Sequence, residues 1–410
     1  MTTLAAGLDV NVVSPQNLLD PNPLYRYLRE SEPVHWSEPM QSWFITRHED
    51  VAACFRDPRL SAARTQLFYA HQLRGVGLEK VKDQIYNAER QMLMKDGPEH
   101  ARLRRNANPG FTLQAIDGWR PEVRKAADAL LERVQARGRM ELVADYSELL
   151  PSQVIMEFFA IPARDQRDFL EWCSDNSRLF AASTGADMQE LAVRSNTAIV
   201  KLMQYLGKAV QERRANPGRD MLSTMVHAQE EGKLDEGELI ANAILILTAG
   251  HITTVDQLSN GVHMLLTHPE QLRKLRENPG LMKSTVEEVL RFCPAVPFIH
   301  RIAAEDFELR GRKIQKGQLV FLGMAAANRD PAVFPDPERF DITRQNNKHL
   351  SFAFGPHMCL GAPLARVELE IGFTALLERM PGLRLDEEQP PRIKCNSLVF
   401  RGFDSLPVRW

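Results

Sequence analysis

The sequence predicts a mainly α protein with small β-sheets, built as a single domain over residues 1–410. Three observations point there. Helical periodicity dominates from Pro98 to about residue 293. Within that stretch lies one segment from about Asp235 to Thr267. As a helix it would be on the order of 50 Å long, enough to cross a whole domain. Beyond residue 293 the pattern shortens to β-like runs, Phe298–Ile302, Phe307–Leu309 and Leu319–Leu322, punctuated by Gly and Pro.

The elements follow in order. Residues 22–30 read as an amphipathic helix. Pro33–Trp36 and Ser42–Thr46 read as a strand pair, with a short helix from Glu49 to Arg56 behind it. Residues 60–97 are mixed and support no assignment. Asp96-Gly97-Pro98 opens a helix, with Pro near the first turn, where its missing N–H costs nothing. Arg120–Arg137 and Ala186–Arg214 are amphipathic helical segments, and Asn216-Pro217-Gly218 is a break. A helix ending near Phe292 follows the long segment, another runs from about Leu360 to Leu377, and the tail from Arg392 to Trp410 again resembles short strands.

Composition narrows the class. A chain of 410 residues, 44% apolar and 25% charged, suits a soluble globular protein with a sizeable core. A net charge of −2 argues against nucleic-acid binding. The first residues carry no positive n-region and no apolar h-region, so no signal peptide is expected. The most apolar run, Leu239 to Gly250, is too short to span a bilayer, so no membrane span is expected. The five cysteines are odd in number and far apart, which fits a reducing cytosol rather than a disulfide framework. The expected location is the cytoplasm.

The chemistry concentrates in Ser351-Phe352-Ala353-Phe354-Gly355-Pro356-His357-Met358-Cys359-Leu360-Gly361, followed by Leu364-Ala365-Arg366. A single Cys is most often a small buried hydrophobe. Here it sits in a glycine-bracketed loop that opens a helix. Gly355 and Gly361 permit close backbone approach to a flat ligand or a positive φ, and the positive end of the helix favours an anionic sulfur. A lone thiolate below iron in a planar macrocycle is the arrangement that activates dioxygen.

This stretch resembles the haem-binding signature of the cytochrome P450 family. The resemblance runs from about residue 20 to the end and implies a triangular helical body with a long central helix over the haem. It implies haem b as cofactor, Cys359 as the proximal iron ligand, Phe352 beside the thiolate and His357 on a haem propionate. His100 and Arg104 share one helix face, four residues apart. With Phe111 they are similar to the family's propionate-binding helix; Arg301 is similar to its second propionate arginine, and His349 is a further candidate. Glu288 and Arg291, with Arg339 in Pro335–Phe340, resemble its buried charge network, where an Arg fork holds a carboxylate.

Ala249-Gly250-His251-Ile252-Thr253-Thr254 lies mid-way along the long segment. A helix glycine costs about 1 kcal/mol relative to Ala, so a packing reason is expected. Ala249 and Gly250 would let the helix lie close to a macrocycle. Thr253 resembles the family's oxygen-side alcohol, and Thr254 follows it. The residue before that threonine is usually Asp or Glu in the family; here it is Ile252. Thr253, Thr254, water or the substrate would have to carry protons instead, with His251 and Asp256 as possible substitutes.

The activity implied is two-electron activation of dioxygen to hydroxylate, epoxidise or oxidatively couple an apolar small molecule, a natural-product intermediate. Alternatives are a peroxide-driven peroxygenase, motivated by Ile252, and a non-catalytic haem sensor. The resemblance places Phe68, Tyr69, Met92, Met94, Leu245, Ile246, Val296, Phe298, Leu398 and Val399 around the substrate, and Arg64 could fix a carboxylate or carbonyl on it. No Rossmann-type glycine fingerprint accompanies the chain, so a ferredoxin and its reductase are expected to supply electrons to a monomer. Arg102, Arg105, Lys348 and Arg366 would form the basic dock.

Overall fold

The helix Glu236–Thr267 is the spine of the computed structural model, which describes residues 9–410 except 74–75, 182–186, 396 and 398. Its start is written locally. The Asp235 carboxylate accepts the Glu238 N–H at 2.7 Å, and the Glu238 carboxylate accepts the Asp235 N–H at 3.1 Å, a reciprocal cap. Glu236 and Glu238 also complement the positive end of the helix. The helix stops at His268 because Pro269 disfavours helical backbone in the residue before it. By length and composition the whole helix is long and apolar enough to cross a membrane, more so than the run Leu239–Gly250 suggests. Half of its most apolar window is nevertheless buried inside the protein, as in a core helix.

Other helices wrap this spine. Leu149–Phe158, Met282–Phe292 and Ala362–Arg379 pack against it. The crossings are close because glycines remove side chains there. A Cβ on Gly261 would lie 2.2 Å from the Phe373 ring, and one on Gly372 would lie 2.9 Å from Leu258. Gly250 has the same role: its Cβ would meet Ile155 Cδ1 at 2.9 Å. Packing against a neighbouring helix, and not only room for a macrocycle, therefore accounts for this glycine.

The small sheet expected from the sequence is five-stranded. Its spatial order is Val34–Ser37, Ser42–Ile45, Leu319–Gly323, Phe298–Ala303, Leu60–Ser61. The first two strands form the predicted pair, and the structure makes it antiparallel; Ser42–Ile45 pairs parallel to Leu319–Gly323. The segment 60–97 resolves into a short strand and the helices Thr65–Gln72 and Lys82–Ala88. Register sends Phe298 into a core with Tyr25, Phe44 and Phe321. Phe68 and Tyr69 join a separate core with Leu73, Val81 and Ile85, and Phe68 stacks on His300 at 4.7 Å. These three residues, expected around the substrate, are core instead. The expected Leu398 lies outside the described residues.

The buried charge network needs one correction. Glu288 and Arg291 are fully buried and joined by paired 2.8 Å hydrogen bonds. The third arginine is Arg344, whose Nε lies 3.2 Å from Glu288 Oε2. Arg339 is 60% exposed at its side chain and reaches Asp341 at 3.9 Å; only its backbone carbonyl joins, accepting from Arg291 and Arg344. Asn347 and the Asp341 N–H complete the Glu288 shell. Arg291 also donates to the carbonyls of Asn328 and Pro337, so the pair ties the helix Met282–Phe292 to the chain that leads to Cys359.

Candidate active site

A cavity of about 280 Å³ opens between the central helix and the Cys359 loop. The loop is held from behind. The Cys359 N–H donates to the Phe352 carbonyl at 2.8 Å, the Ser351 hydroxyl donates to the Leu290 carbonyl, and the Leu350 N–H donates to Asn328. Gly355 sits at φ +76°, which glycine adopts freely, while Gly361 at φ −79° needs no such freedom. Ala353 lines the cavity at φ 59°, a left-handed conformation that is strained for a residue with a Cβ.

The accessible face of Cys359 is toward this cavity. Burial pushes its thiol up, and the backbone N–H groups of Gly361 and Ala362 and the Arg104 charge oppose that. These donors suit an anionic sulfur bound to a metal. Among the described residues no cluster of three His, Cys, Asp or Glu groups suits a metal, so the sulfur would act as a lone protein ligand. Phe352 lines the cavity beside it, with the Arg366 guanidinium 4.6 Å over its ring.

One edge of the cavity is basic. His100, Arg104 and His357 line it, and the His100 and His357 rings lie 3.9 Å apart. Burial holds His357 down to about 3, helped by Arg301, and burial likewise lowers His100. Arg301 is buried close behind, with Nη2 lacking a partner. A flat apolar group with anionic substituents at this edge would fit the thiolate, the apolar walls and the orphaned donor together. His349 does not belong to this edge. It pairs with Glu287 at 3.0 Å, as Arg366 does at 2.7 Å. Burial raises the Glu287 carboxyl, but hydrogen bonds from His349 and Arg366 outweigh it and hold it at about 2.

The opposite wall is the central helix. Leu245, Ile246, Ala249, Gly250, Thr253 and Thr254 all face the cavity, as expected. The hydroxyls of Thr253 and Thr254 donate to the carbonyls of Ala249 and Gly250 at 3.1 and 3.4 Å, and the helix continues through them. His251 and Asp256 do not line the cavity, and Asp256 is claimed by Lys394. Polar residues of the same helix place the remaining walls. Asn242 accepts the Met92 N–H at 2.8 Å, and Gln257 accepts the Ala295 N–H at 2.9 Å. This brings Met92 and Val296 to the cavity as predicted, together with Leu93 and Ile299.

Sequence reasoning missed one group. Glu368, 1% exposed on the helix Ala362–Arg379, lines the cavity, and its Oε1 has no hydrogen-bond partner. Burial raises its carboxyl well above the usual range. The available signal was its place one turn after Leu364, another lining residue.

Comparison with known proteins agrees with this geometry. The family model for Cytochrome P450 matches residues 67–402. The chain is 38% identical to "Cytochrome P450 CYP107DY1" of Priestia megaterium, covering 96% of this chain and 97% of that protein. It is 37% identical to "Mycinamicin IV hydroxylase/epoxidase" of Micromonospora griseorubida, covering 94% of each. Its fold matches the crystal structure of P450BioI in complex with a hexadec-9Z-enoic acid-ligated acyl carrier protein, with TM-score 0.88, 34% identity, and coverage of 97% of this chain and 100% of that one. With a lone cysteine facing an apolar cavity under a threonine-bearing central helix, the chain belongs to the cytochrome P450 family and is a haem-dependent monooxygenase.

Proposed function

We propose that this chain, acting as one domain and as a monomer in the cytoplasm, uses haem b and electrons from a ferredoxin and its reductase to oxidise an apolar natural-product intermediate. The observation that carries the reading is the cavity itself, with Cys359 on one wall, Thr253 on the facing helix and apolar side chains between them. Haem, when bound, supplies the activation of dioxygen. Cys359 holds its iron, and His100, Arg104, Arg301 and His357 hold its propionates. Leu245, Ile246, Met92, Leu93, Val296 and Ile299 exclude water and pack the substrate. Macrolide-type and acyl-chain oxidations both suit such a lining, in keeping with relatives named for mycinamicin and for an acyl carrier protein complex. The experiment is a spectral binding screen of apolar ligands, free and carrier-bound, followed by product mass after turnover. No spin-state change with any apolar ligand would remove the substrate class.

Protons have one supported route in this cavity. Thr253 Oγ1, on the wall facing Cys359, can pass a proton inward through water. Ile252 has no proton to give. Thr253→Ala should lower product formed per reduced nicotinamide several-fold, with peroxide making up the difference. Equal coupling in wild type and Thr253→Ala would remove this route. Efficient product formation from peroxide alone, with little from dioxygen and partners, would instead favour the peroxygenase reading that Ile252 motivates.

The electron-donor dock is smaller than the sequence suggested. Arg102 is engaged by Glu238 and Arg366 by Glu287. Arg105 and Lys348 remain exposed, with no ion pair among the described residues. Exposed charges are screened over about 8 Å at physiological ionic strength. Reduction by an acidic ferredoxin should therefore slow as salt rises, and less steeply in Arg105→Ala. A rate indifferent to salt would remove the dock.

A further inference from the structure

Behind the basic edge of the cavity lies a cation with no part in the chemistry so far assigned to the site. Arg64 is 2% exposed, as buried as Arg301 at 2%. Its Nη1 donates to the carbonyls of Ala62 and Leu93 at 2.7 and 3.3 Å, and its Nε has no partner. Arg301 spends Nη1 on the His300 carbonyl at 3.0 Å and leaves Nη2 orphaned. The His300 Nε2 beside them is orphaned as well. The carboxylate facing this group is Asp96, and it is already occupied. It accepts from the Ser61 hydroxyl and from the Ala62 and Ala63 N–H groups, and lies 3.9 Å from His357.

Two buried guanidinium groups with unspent donors and no dedicated carboxylate are costly unless an anion joins them. Burial pushes Arg64 down to about 9, with the Arg301 charge adding to it. Among the described residues at this edge, the three guanidinium groups of Arg64, Arg104 and Arg301 face one carboxylate, Asp96. The excess is two positive charges, which is what the two haem propionates balance.

Like Arg301, Arg64 does not itself line the cavity; it lies behind the lining residue Leu93, whose carbonyl it holds, and beside the Arg301 charge. We propose that Arg64 is a haem-positioning residue that completes the charge balance of the propionate edge with Arg301 and Arg104, and that it does not anchor the substrate.

The proposal rests on haem filling the cavity, which the thiolate Soret band of the wild-type holoenzyme reports independently. The test uses holoenzymes of wild type, Arg64→Ala and Arg64→Lys. Three quantities are measured: the rate of haem transfer to excess apomyoglobin, the ferric/ferrous midpoint potential, and spectral dissociation constants for palmitic acid and its methyl ester. Loss of a charge-assisted hydrogen bond should speed transfer about tenfold in Arg64→Ala, and Arg64→Lys should recover part of it. The midpoint potential should fall in Arg64→Ala, because a positive charge that disfavours ferric iron is gone. Acid and ester should be affected alike. Unchanged transfer and potential, or an affinity loss confined to the free acid, would overturn the assignment. If Arg64→Ala does not fold, Arg64→Gln and Arg64→Lys carry the same comparison.

Discussion

Cys359→Ala should abolish the strongly red-shifted Soret band of the reduced carbon monoxide complex, and with it all turnover with dioxygen. The sulfur is the side chain that the loop from Phe352 to Gly361 is built to present. Its backbone N–H is spent on the Phe352 carbonyl, and the N–H groups of Gly361 and Ala362 point at the sulfur. Alanine keeps the loop and removes the ligand. Haem can still enter, because the basic edge and apolar walls remain. Retention of the band in Cys359→Ala would show that another group binds the iron.

The second large effect is on stability. Glu288→Ala leaves Arg291 buried at 0% exposure with no carboxylate, beside Arg344. Removing one partner of a buried pair costs about 3–5 kcal/mol, a large share of the roughly 5–15 kcal/mol that holds a typical protein folded. Glu288→Ala should therefore fail to accumulate as holoenzyme, and Arg291→Ala should behave alike. The two arginines downstream should separate. Arg344→Ala should lower the denaturation midpoint markedly, because its guanidinium meets Glu288 and the carbonyls of Pro335 and Asp336. Arg339→Ala should change stability by no more than about 0.5 kcal/mol, as at an ordinary surface position. Comparable losses in both would restore Arg339 to the network.

These two arginines show where reading a sequence stops. Both come after a Pro-rich irregular stretch, where no period of 3.6 or 2 says which way a side chain faces. Asp336 turns through φ 47°, and that local turn helps to orient Arg339 and Arg344 beyond it. Phe68, Tyr69 and Phe298 failed for a related reason. An aromatic side chain suits a core and a ligand pocket equally well, and only helix rotation and strand register decide between them. Arg64 reads in sequence as a surface or substrate cation; in the fold it is buried and meets the carbonyls of Ala62 and Leu93. Glu368 sits in a charged helix, and the burial that raises its carboxyl comes from neighbours far along the chain.

What the sequence determined by itself is everything carried by local covalent order. That includes the cysteine in its glycine-bracketed loop, the capped central helix ended by proline, the threonines on its face, the His100 and Arg104 spacing and the first strand pair. Short-range sterics and hydrogen bonds specify these within a few residues. Tertiary structure alone decided which cation meets which anion, which apolar side chains see the cavity, and which acid is stripped of water. Those outcomes depend on distance and burial between segments hundreds of residues apart, as with Arg104 and the Pro356 carbonyl at 3.2 Å, and no local pattern encodes them.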